Sequence, residues 1–407
     1  MSLALELYRS VPRYVAARAV GERFPGLLAG PVAPLRLVNR DDVERPAEGW
    51  ARVRPRLAGI CGSDLSTLAG RSSFYFSPLV SMPFVPGHEV VGELLDDVDG
   101  LAKGTRVVLD PVLSCAARGL ELCSSCEEGA TGRCDRVTVG HISPGLQTGY
   151  CADTGGGWGR QLVAHRSQLH AVPDRMSDTR AVLVEPLACA IHAALRAAPS
   201  PGATVLVVGA GTVGILTLLA LREYTEAGRI TVVAKHAKQR ELARGFGATD
   251  VVDTRGAIGS LRRASRALRL KPERGGEFLL GGVDVAVDCV GSKASLDLCL
   301  RTTRAGGRVV LTGLPTAGAD LTPLWFRELE LVGAYASGTE RLNGPGTSPG
   351  PQEVRTFDLA IDLAADAPLE GIVGAAYPLR SWRRAIDHAL EAGRLGTAKV
   401  VFDPRED

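Results

Sequence analysis

The sequence predicts an α/β chain in two parts, a β-rich antiparallel domain and a doubly wound parallel sheet. Two observations carry that prediction. From Leu35 to Leu113 the chain runs in short β-prone stretches broken by turn residues: Leu35–Asn39, Ala51–Ile60, Val90–Leu95 and Arg106–Leu109. Such spacing belongs to antiparallel sheet. From about Ser177 onward, apolar strand-like runs instead alternate with helical stretches, the pattern of a parallel sheet with helices on its faces. At 407 residues the chain is long enough for both, at roughly 150 residues per domain.

Each element has its own signal. Further strand-like pieces lie in Gly159–Val172, and Arg180–Ala198 reads as a helix. Val205–Val208 is a four-residue apolar run that turns through Gly209-Ala210-Gly211-Thr212-Val213-Gly214 into a helical segment. A β-branched run at Ile230–Val233 and a helix over Ala237–Phe246 follow. Strands are then expected at Val283–Val287, Arg308–Thr312 and Leu329–Tyr335, with a helix after Ser292. The basic run Arg255–Arg274 reads as a solvated helix face. Gly338–Pro351, rich in Gly, Pro and Thr, reads as a loop. Helices over Val354–Leu363 and Ser381–Glu391 and a strand over Ala398–Phe402 then lead back to the first domain. The expected division is 1–185 with 339–407, and 186–338 as an insertion.

Lys and Arg number 47 against 45 Asp and Glu, so no large field draws the protein to nucleic acid or to an anionic membrane. Small-molecule chemistry is the expectation. The longest uncharged run, in Ala197–Leu221, is interrupted by Pro199, Pro201 and the glycine turn, which argues against a membrane span. The N-terminal stretch carries Glu6 and Glu22 and has no continuous apolar core, unlike a secretory signal. A cytoplasmic location follows as an expectation. Nine cysteines without an export signal point to metal or thiol chemistry instead of disulfides. Cys289 and Cys299 sit in apolar patterns and read as core packing.

The glycine turn is the first functional motif. In a strand–turn–helix context, G-x-G-x-x-G binds a dinucleotide. Gly209 permits the turn, Gly211 lets backbone approach a pyrophosphate, and Gly214 lets helix pack on strand. The phosphates then meet the free N–H groups opening the helix at Thr212 and Val213. An acidic residue about twenty positions on bonds the adenosine ribose in NAD-binding folds. Here that place is Ala234, followed by Lys235 and His236, with Lys238 and Arg240 nearby. The small residue and the cations favour a 2′-phosphate, so NADP is expected and NAD is the alternative.

A second constellation lies upstream, in Gly59-Ile60-Cys61-Gly62-Ser63-Asp64 and Pro86-Gly87-His88-Glu89. Thiolate, imidazole and carboxylate are all zinc donors, and a catalytic zinc takes three of them plus an open position. Together with Val184-Glu185-Pro186-Leu187-Ala188, the glycine turn and Arg304–Gly313, these motifs resemble the zinc-dependent medium-chain alcohol and polyol dehydrogenases, most of all the sorbitol, threonine and glucose dehydrogenase branch. The resemblance runs from about Leu35 to Pro404.

It implies a GroES-like catalytic domain and a Rossmann domain, with zinc, cofactor and substrate in a cleft. Cys61 and His88 would bind catalytic zinc. Glu89 would be the third ligand or lie close behind it, and Glu185 would ligate the metal or hold its water. The alcohol dehydrogenase branch has Cys where Glu185 stands, so the chain sides with the polyol branch. Ser63 would accept the substrate's hydroxyl proton, and Asp64 would orient His88. Several relatives have His at the place of Ser66 to end a proton relay, and this chain does not. Cys115, Cys123, Cys126 and Cys134 resemble the family's structural zinc lobe, with Ala116–Leu122 as a longer first gap. Phe74, Tyr75 and Phe76 either wall a substrate pocket or pack in a core or interface. Gly155–Gly157 offers a mobile loop with Trp158 beside it, and His165 and His170 read as structural. The implied activity is hydride transfer between an alcohol or polyol and a nicotinamide, in a dimer or tetramer. A biosynthetic carbonyl reductase and a non-catalytic nucleotide-binding relative are the alternatives.

Overall fold

A computed structural model of the protein describes residues 2–21, 23–30, 32–314, 318–342 and 352–406. The chain falls into two compact units, Met1–Glu185 with Phe357–Asp407, and Pro186–Thr356.

In the first unit the strand Trp50–Gly59 is central. Its residues alternate between buried and exposed before becoming fully buried, as a strand does when one face meets the core. Around it the sheet runs Val373–Tyr377, Lys399–Phe402, Trp50–Gly59, Val90–Leu94, Arg106–Leu109, Leu169–Ala171, and Leu162–His165 also pairs with the central strand. All pairings are antiparallel except that of Val373–Tyr377 with Lys399–Phe402. Leu5, Phe84, Leu94, Trp158, Leu162 and Phe402 fill its core. The late strand Lys399–Phe402 is thus built into the early sheet, with Val401 opposite Gly59.

The second unit holds six parallel strands. Numbered in chain order within the sheet they lie 3-2-1-4-5-6: Asp250–Val252, Arg229–Val233, Thr204–Val208, Val283–Asp288, Thr303–Leu311, Glu330–Gly333. That order reverses direction between the first and fourth strands, and in such sheets ligands bind beyond the strand ends at this switch point. The glycine turn follows the first strand at that place.

Several local expectations change. The region read as a loop over 338–351 begins with a strand, Thr339–Leu342, paired antiparallel with Gln352–Arg355; residues 343–351 lie outside those described. Glu340 of this hairpin meets His192 at 2.8 Å, so the return to the first unit comes at Phe357. The helix expected from Val354 starts at Thr356. The basic run folds as a helix only over Ala257–Ser265. Arg266 then turns with positive φ, and a hairpin of Leu268–Leu270 with Phe278–Leu280 follows. Arg269 is neutralised there by Glu277 at 2.6 Å. Helix Arg180–Ala198 divides into Asp178–Ala181 and Val184–Ala197. Cys299 packs in the core of the second unit, whereas Cys289 is half-buried, its Sγ 3.8 Å from Thr217 Oγ1 and its thiol pushed up to about 12 by desolvation.

Candidate active site

Cys61 leaves the central strand and caps the helix Gly62–Leu68. Its N–H donates to Asp64 Oδ2 at 2.9 Å. The other oxygen, Asp64 Oδ1, faces His88 Nδ1 at 3.6 Å, and both of these atoms are buried without a hydrogen bond. One carboxylate therefore ties the Cys61 turn to the His88 ring, and the second contact is open enough to tighten when the ring is drawn to a ligand. Burial by itself would lower the His88 pKa. Asp64 first, then Cys61 and Glu185, carry it in the opposite direction, well above the ordinary value.

His88 and Glu89 sit on a turn that needs glycine. Gly87 has φ +96°, and a Cβ there would lie 2.4 Å from Trp158 Cδ1. Gly157 N–H donates to Gly87 O at 2.8 Å and Trp158 N–H to Pro86 O at 3.0 Å. The Trp158 indole N–H reaches Gly59 O at 3.1 Å. The glycine-rich segment is therefore a packed buttress, not a mobile loop: a Cβ on Gly156 would fall 2.0 Å from Val85 O. Trp158 is fully buried, holding both donor-bearing segments. Truncating such a side chain costs about 3–5 kcal/mol.

Cys61, His88 and Glu89 present ligand atoms that all lie within 4.8 Å of one another. The structure adds a group that sequence reading missed. Lys399 Nζ reaches Glu89 Oε1 at 2.6 Å and also bonds Oε2, with both side chains almost fully buried at 3% and 1% exposure. Nζ further donates to Ile60 O at 3.3 Å. Burial opposes the charge on Lys399, but Glu89 foremost and Cys61 hold its pKa above the usual value. The available signal was a lysine opening an otherwise apolar strand, KVVF, with every residue buried. Glu185, in the first turn of Val184–Ala197, is buried and acts electrostatically on His88 and Lys399. It is not part of the tight Cys61–His88–Glu89 group. Ser63 Oγ is buried and makes no hydrogen bond. Phe74 and Tyr75 are 69% and 78% exposed, so neither is core. His165 is held by Ser167 at 2.9 Å and His170 stacks on Phe357, both structural settings.

A second donor group forms apart from the first. Cys115, Cys123, Cys126 and Cys134 are buried with all Sγ atoms within 4.8 Å of one another. The long gap after Cys115 is taken up by a single helical turn, Ala116–Arg118, closed by Gly119 at φ +65°. Arg118 is fully buried and donates to the carbonyls of Leu113, Val139 and Gly145 at 3.0, 2.9 and 2.7 Å. It pins the lobe through backbone alone. Hydrogen bonding from the Asp135 backbone lowers the Cys123 thiol to about 6, whereas burial raises Cys126 and Cys134. Both donor sets suit zinc: a closed four-thiolate group of the structural kind and a mixed S/N/O group of the catalytic kind.

In the second unit the three glycines differ as a dinucleotide turn requires. Gly209 has φ +97°, and a Cβ on Gly214 would fall 2.0 Å from Gly209 O, whereas one on Gly211 would meet nothing within 4 Å. Helix Thr212–Tyr224 starts immediately after. Ala234 is buried, and its N–H pairs with Val252 O at 2.9 Å. Lys235 is exposed, and the turn carrying it is held by Arg240, which donates to Ala234 O and Lys235 O at 3.2 and 3.0 Å. His236 caps helix Ala237–Gly245, and Lys238 pairs with Glu241.

Comparison with known proteins fits both units. Residues 47–174 match the family model described as the alcohol dehydrogenase GroES-like domain, and residues 212–344 the model described as zinc-binding dehydrogenase. L-idonate 5-dehydrogenase of Vitis vinifera is 32% identical over 289 residues, covering 70% of this chain and 72% of the relative. The chain belongs to the zinc-binding alcohol dehydrogenase family. Sorbitol dehydrogenase of Arabidopsis thaliana is 30% identical over 70% of this dehydrogenase and 73% of the relative. Among solved structures, the alcohol dehydrogenase of Thermus sp. ATN1 shares its fold, with TM-score 0.68 at 22% identity over 99% of each chain. The dehydrogenase is thus an oxidoreductase of the zinc- and nicotinamide-dependent type.

Proposed function

We propose that this dehydrogenase oxidises a secondary hydroxyl of a polyol or polyhydroxy acid, with NADP⁺ as the preferred acceptor. The observation that carries this reading is the convergence of Cys61, His88 and Glu89 beside a buried, unpartnered Ser63 hydroxyl. The two curated relatives quoted above are named for polyhydroxylated substrates, which supports the polyol class.

In this reading Cys61, His88 and Glu89 hold the catalytic zinc, and Cys115, Cys123, Cys126 and Cys134 hold a structural one. Bound there, the catalytic ion supplies Lewis acidity, which makes a hydroxyl proton removable near neutral pH. The rest falls to the protein. Lys399 holds Glu89 in place through both carboxylate oxygens; a carboxylate has lone pairs enough to accept from Lys399 and still face a ligand. Asp64 fixes the ring of His88. Ser63 would take the substrate's hydroxyl proton, and the bound nicotinamide would supply the hydride acceptor, so that the products are a carbonyl, a reduced cofactor and one proton. Glu185 adds negative charge beside His88 and orients the polar end of the substrate. Gly211 and the start of Thr212–Tyr224 receive the pyrophosphate. Ala234 brings no carboxylate to repel a 2′-phosphate, and Lys235 and His236, next in the chain, would supply its polar partners.

We further infer a homo-oligomer, in which the edge strand Glu330–Gly333 and its exposed neighbours Trp325 (81%), Phe326 (66%) and Tyr335 (46%) are covered by a second copy. Light scattering after gel filtration tests it; a monomer at micromolar concentration would refute it. A cytoplasmic setting is supported by nine free thiols, four of them gathered for a metal. The activity itself is tested by metal analysis followed by assay of sorbitol, L-idonate, D-arabitol and 2,3-butanediol with NADP⁺ and NAD⁺. Zinc-loaded protein that reduces neither cofactor with any of the four would overturn the reading.

A further inference from the structure

A proton taken by Ser63 has to leave, and the next turn of the same helix offers a way. Thr67 stands four residues after Ser63, so the two share a helix face. Its Oγ1 lies 2.9 Å from Ser63 O, 2.9 Å from Ser72 Oγ and 3.3 Å from Tyr150 Oη. A threonine bonding to the carbonyl four residues back is an ordinary helix habit. What is not ordinary is that the remaining capacity of this oxygen is taken by two further hydroxyls, one on each side.

Tyr150 reaches in from a separate segment. Its ring packs at 5.2 Å from Phe84 and 6.0 Å from His88, and its hydroxyl lies 3.3 Å from Thr67 Oγ1. Ser63 Oγ, on the turn before Thr67, is buried and without a formed hydrogen bond, and is free to turn toward this row. Ser72, at the outer end, is partly exposed. Burial first, and then the negative charge of Asp64, hold the Tyr150 phenol well above its ordinary ionisation. A phenol hydroxyl can donate and accept in the same moment.

We propose that Tyr150, Thr67 and Ser72 form a hydroxyl chain that carries the proton from Ser63 to solvent. The inference rests on the proposed alcohol oxidation. The substrate proton moves to Ser63 Oγ as Ser63 gives its own to Tyr150 Oη. Tyr150 gives one to Thr67 Oγ1, Thr67 one to Ser72 Oγ, and Ser72 one to bulk water. Every hydroxyl ends with one hydrogen, and one proton is released for each hydride that reduces the cofactor. The second acceptor of Thr67, Ser63 O, is where its hydrogen rests while the chain resets.

The test uses the zinc-loaded full chain with whichever of sorbitol, L-idonate, D-arabitol and 2,3-butanediol it oxidises fastest. A single turnover is followed by cofactor absorbance and, in parallel, by an indicator dye for the released proton. In the wild type the two signals rise together. In Thr67→Val, which keeps the side-chain shape, the proton should lag the reduced cofactor or both should slow by about tenfold, less than the roughly 10²–10⁴-fold of losing the group that takes the proton first. Tyr150→Phe should act alike, KM should hold, added imidazole should restore the rate, and Thr67→Ser should behave as wild type. A structural role for Thr67 would instead alter KM or folding and would not respond to imidazole. Thr67→Val and Tyr150→Phe with wild-type timing, or a loss that imidazole does not repair, overturns the hydroxyl chain and leaves the activity standing. A wild type that reduces no cofactor with any of the four overturns the activity and the chain together.

Discussion

Replacing Lys399 with Met tests how the Glu89 carboxylate is held. Methionine keeps length and apolar stem but removes the only cation, among the described residues, seen on a carboxylate that is 1% exposed. Glu89 cannot swing away to water, because the Gly59 backbone closes one side: a Cβ built on Gly59 would lie 1.7 Å from Glu89 Oε2. Breaking a buried pair from one side costs about 3–5 kcal/mol. Lys399→Met should therefore lower the stability of the metal-free protein by about that much, read by urea denaturation with an unchanged slope. Part of the loss should return on adding zinc, which places a cation near Glu89 again. Glu89→Gln combined with Lys399→Met removes both charges, and should be more stable than Lys399→Met alone, because no buried charge is left unpaired. Metal-free Lys399→Met within about 1 kcal/mol of wild type would refute the reasoning, since Glu89 would then need no counter-charge.

Four further outcomes are expected. The purified protein should carry about two zinc ions, one stripped readily by chelator with loss of activity and one held by the cysteine lobe; active protein with a single zinc would dismiss the lobe as a metal site. Ser63→Ala should bind cofactor normally, measured by fluorescence titration, and lose turnover by about 10²-fold; normal turnover would move the first proton acceptor elsewhere. Ala234→Asp with Lys235→Ile should shift the ratio of kcat/KM from NADP⁺ toward NAD⁺ by about tenfold or more, since a hydrogen bond to a charged group is worth about 1.5–3 kcal/mol, and a wild type that prefers NAD⁺ would contradict the assignment. Zinc must displace the proton that Asp64 holds on metal-free His88, whose pKa is raised. Affinity of the catalytic site should therefore keep rising with pH above about 6.5, the ordinary histidine value, in competition titrations at about pH 6 and about pH 8; a plateau already reached near 6.5 would mean that Asp64 exerts no such pull.

Much of the fold was legible because its signals are local. Strand runs such as Val205–Val208 and Val90–Leu94 are short, apolar and bounded by turn residues, and the three glycines of Gly209–Gly214 have distinct steric duties that the motif encodes. Cys61, His88 and Glu89 were nameable for the same reason. The partners that condition them were not. Lys399 lies 310 residues from Glu89, and Tyr150 lies 83 from Thr67; neither carries a motif, and only tertiary pairing brings them together. The hairpins Leu268–Leu270 with Phe278–Leu280 and Thr339–Leu342 with Gln352–Arg355 were lost behind charge and turn composition. The three glycines before Trp158 suggested mobility, whereas Val85 and Pro86 press against Gly156 and Val90 and Ala58 against Gly157, leaving no space for side chains.

Because Lys399–Phe402 pairs with the central strand near Cys61, the order of synthesis matters. Segments bearing Cys61 and Glu89 leave the ribosome hundreds of residues before the strand that completes their sheet and neutralises Glu89. At about 5–20 residues per second, that strand edge and that carboxylate wait for tens of seconds, while the whole of Pro186–Thr356 emerges and can fold in the interval. A nascent chain halted before residue 399 should accordingly hold a folded nucleotide-binding unit beside an unfinished metal-binding one, open to proteases and to chaperones.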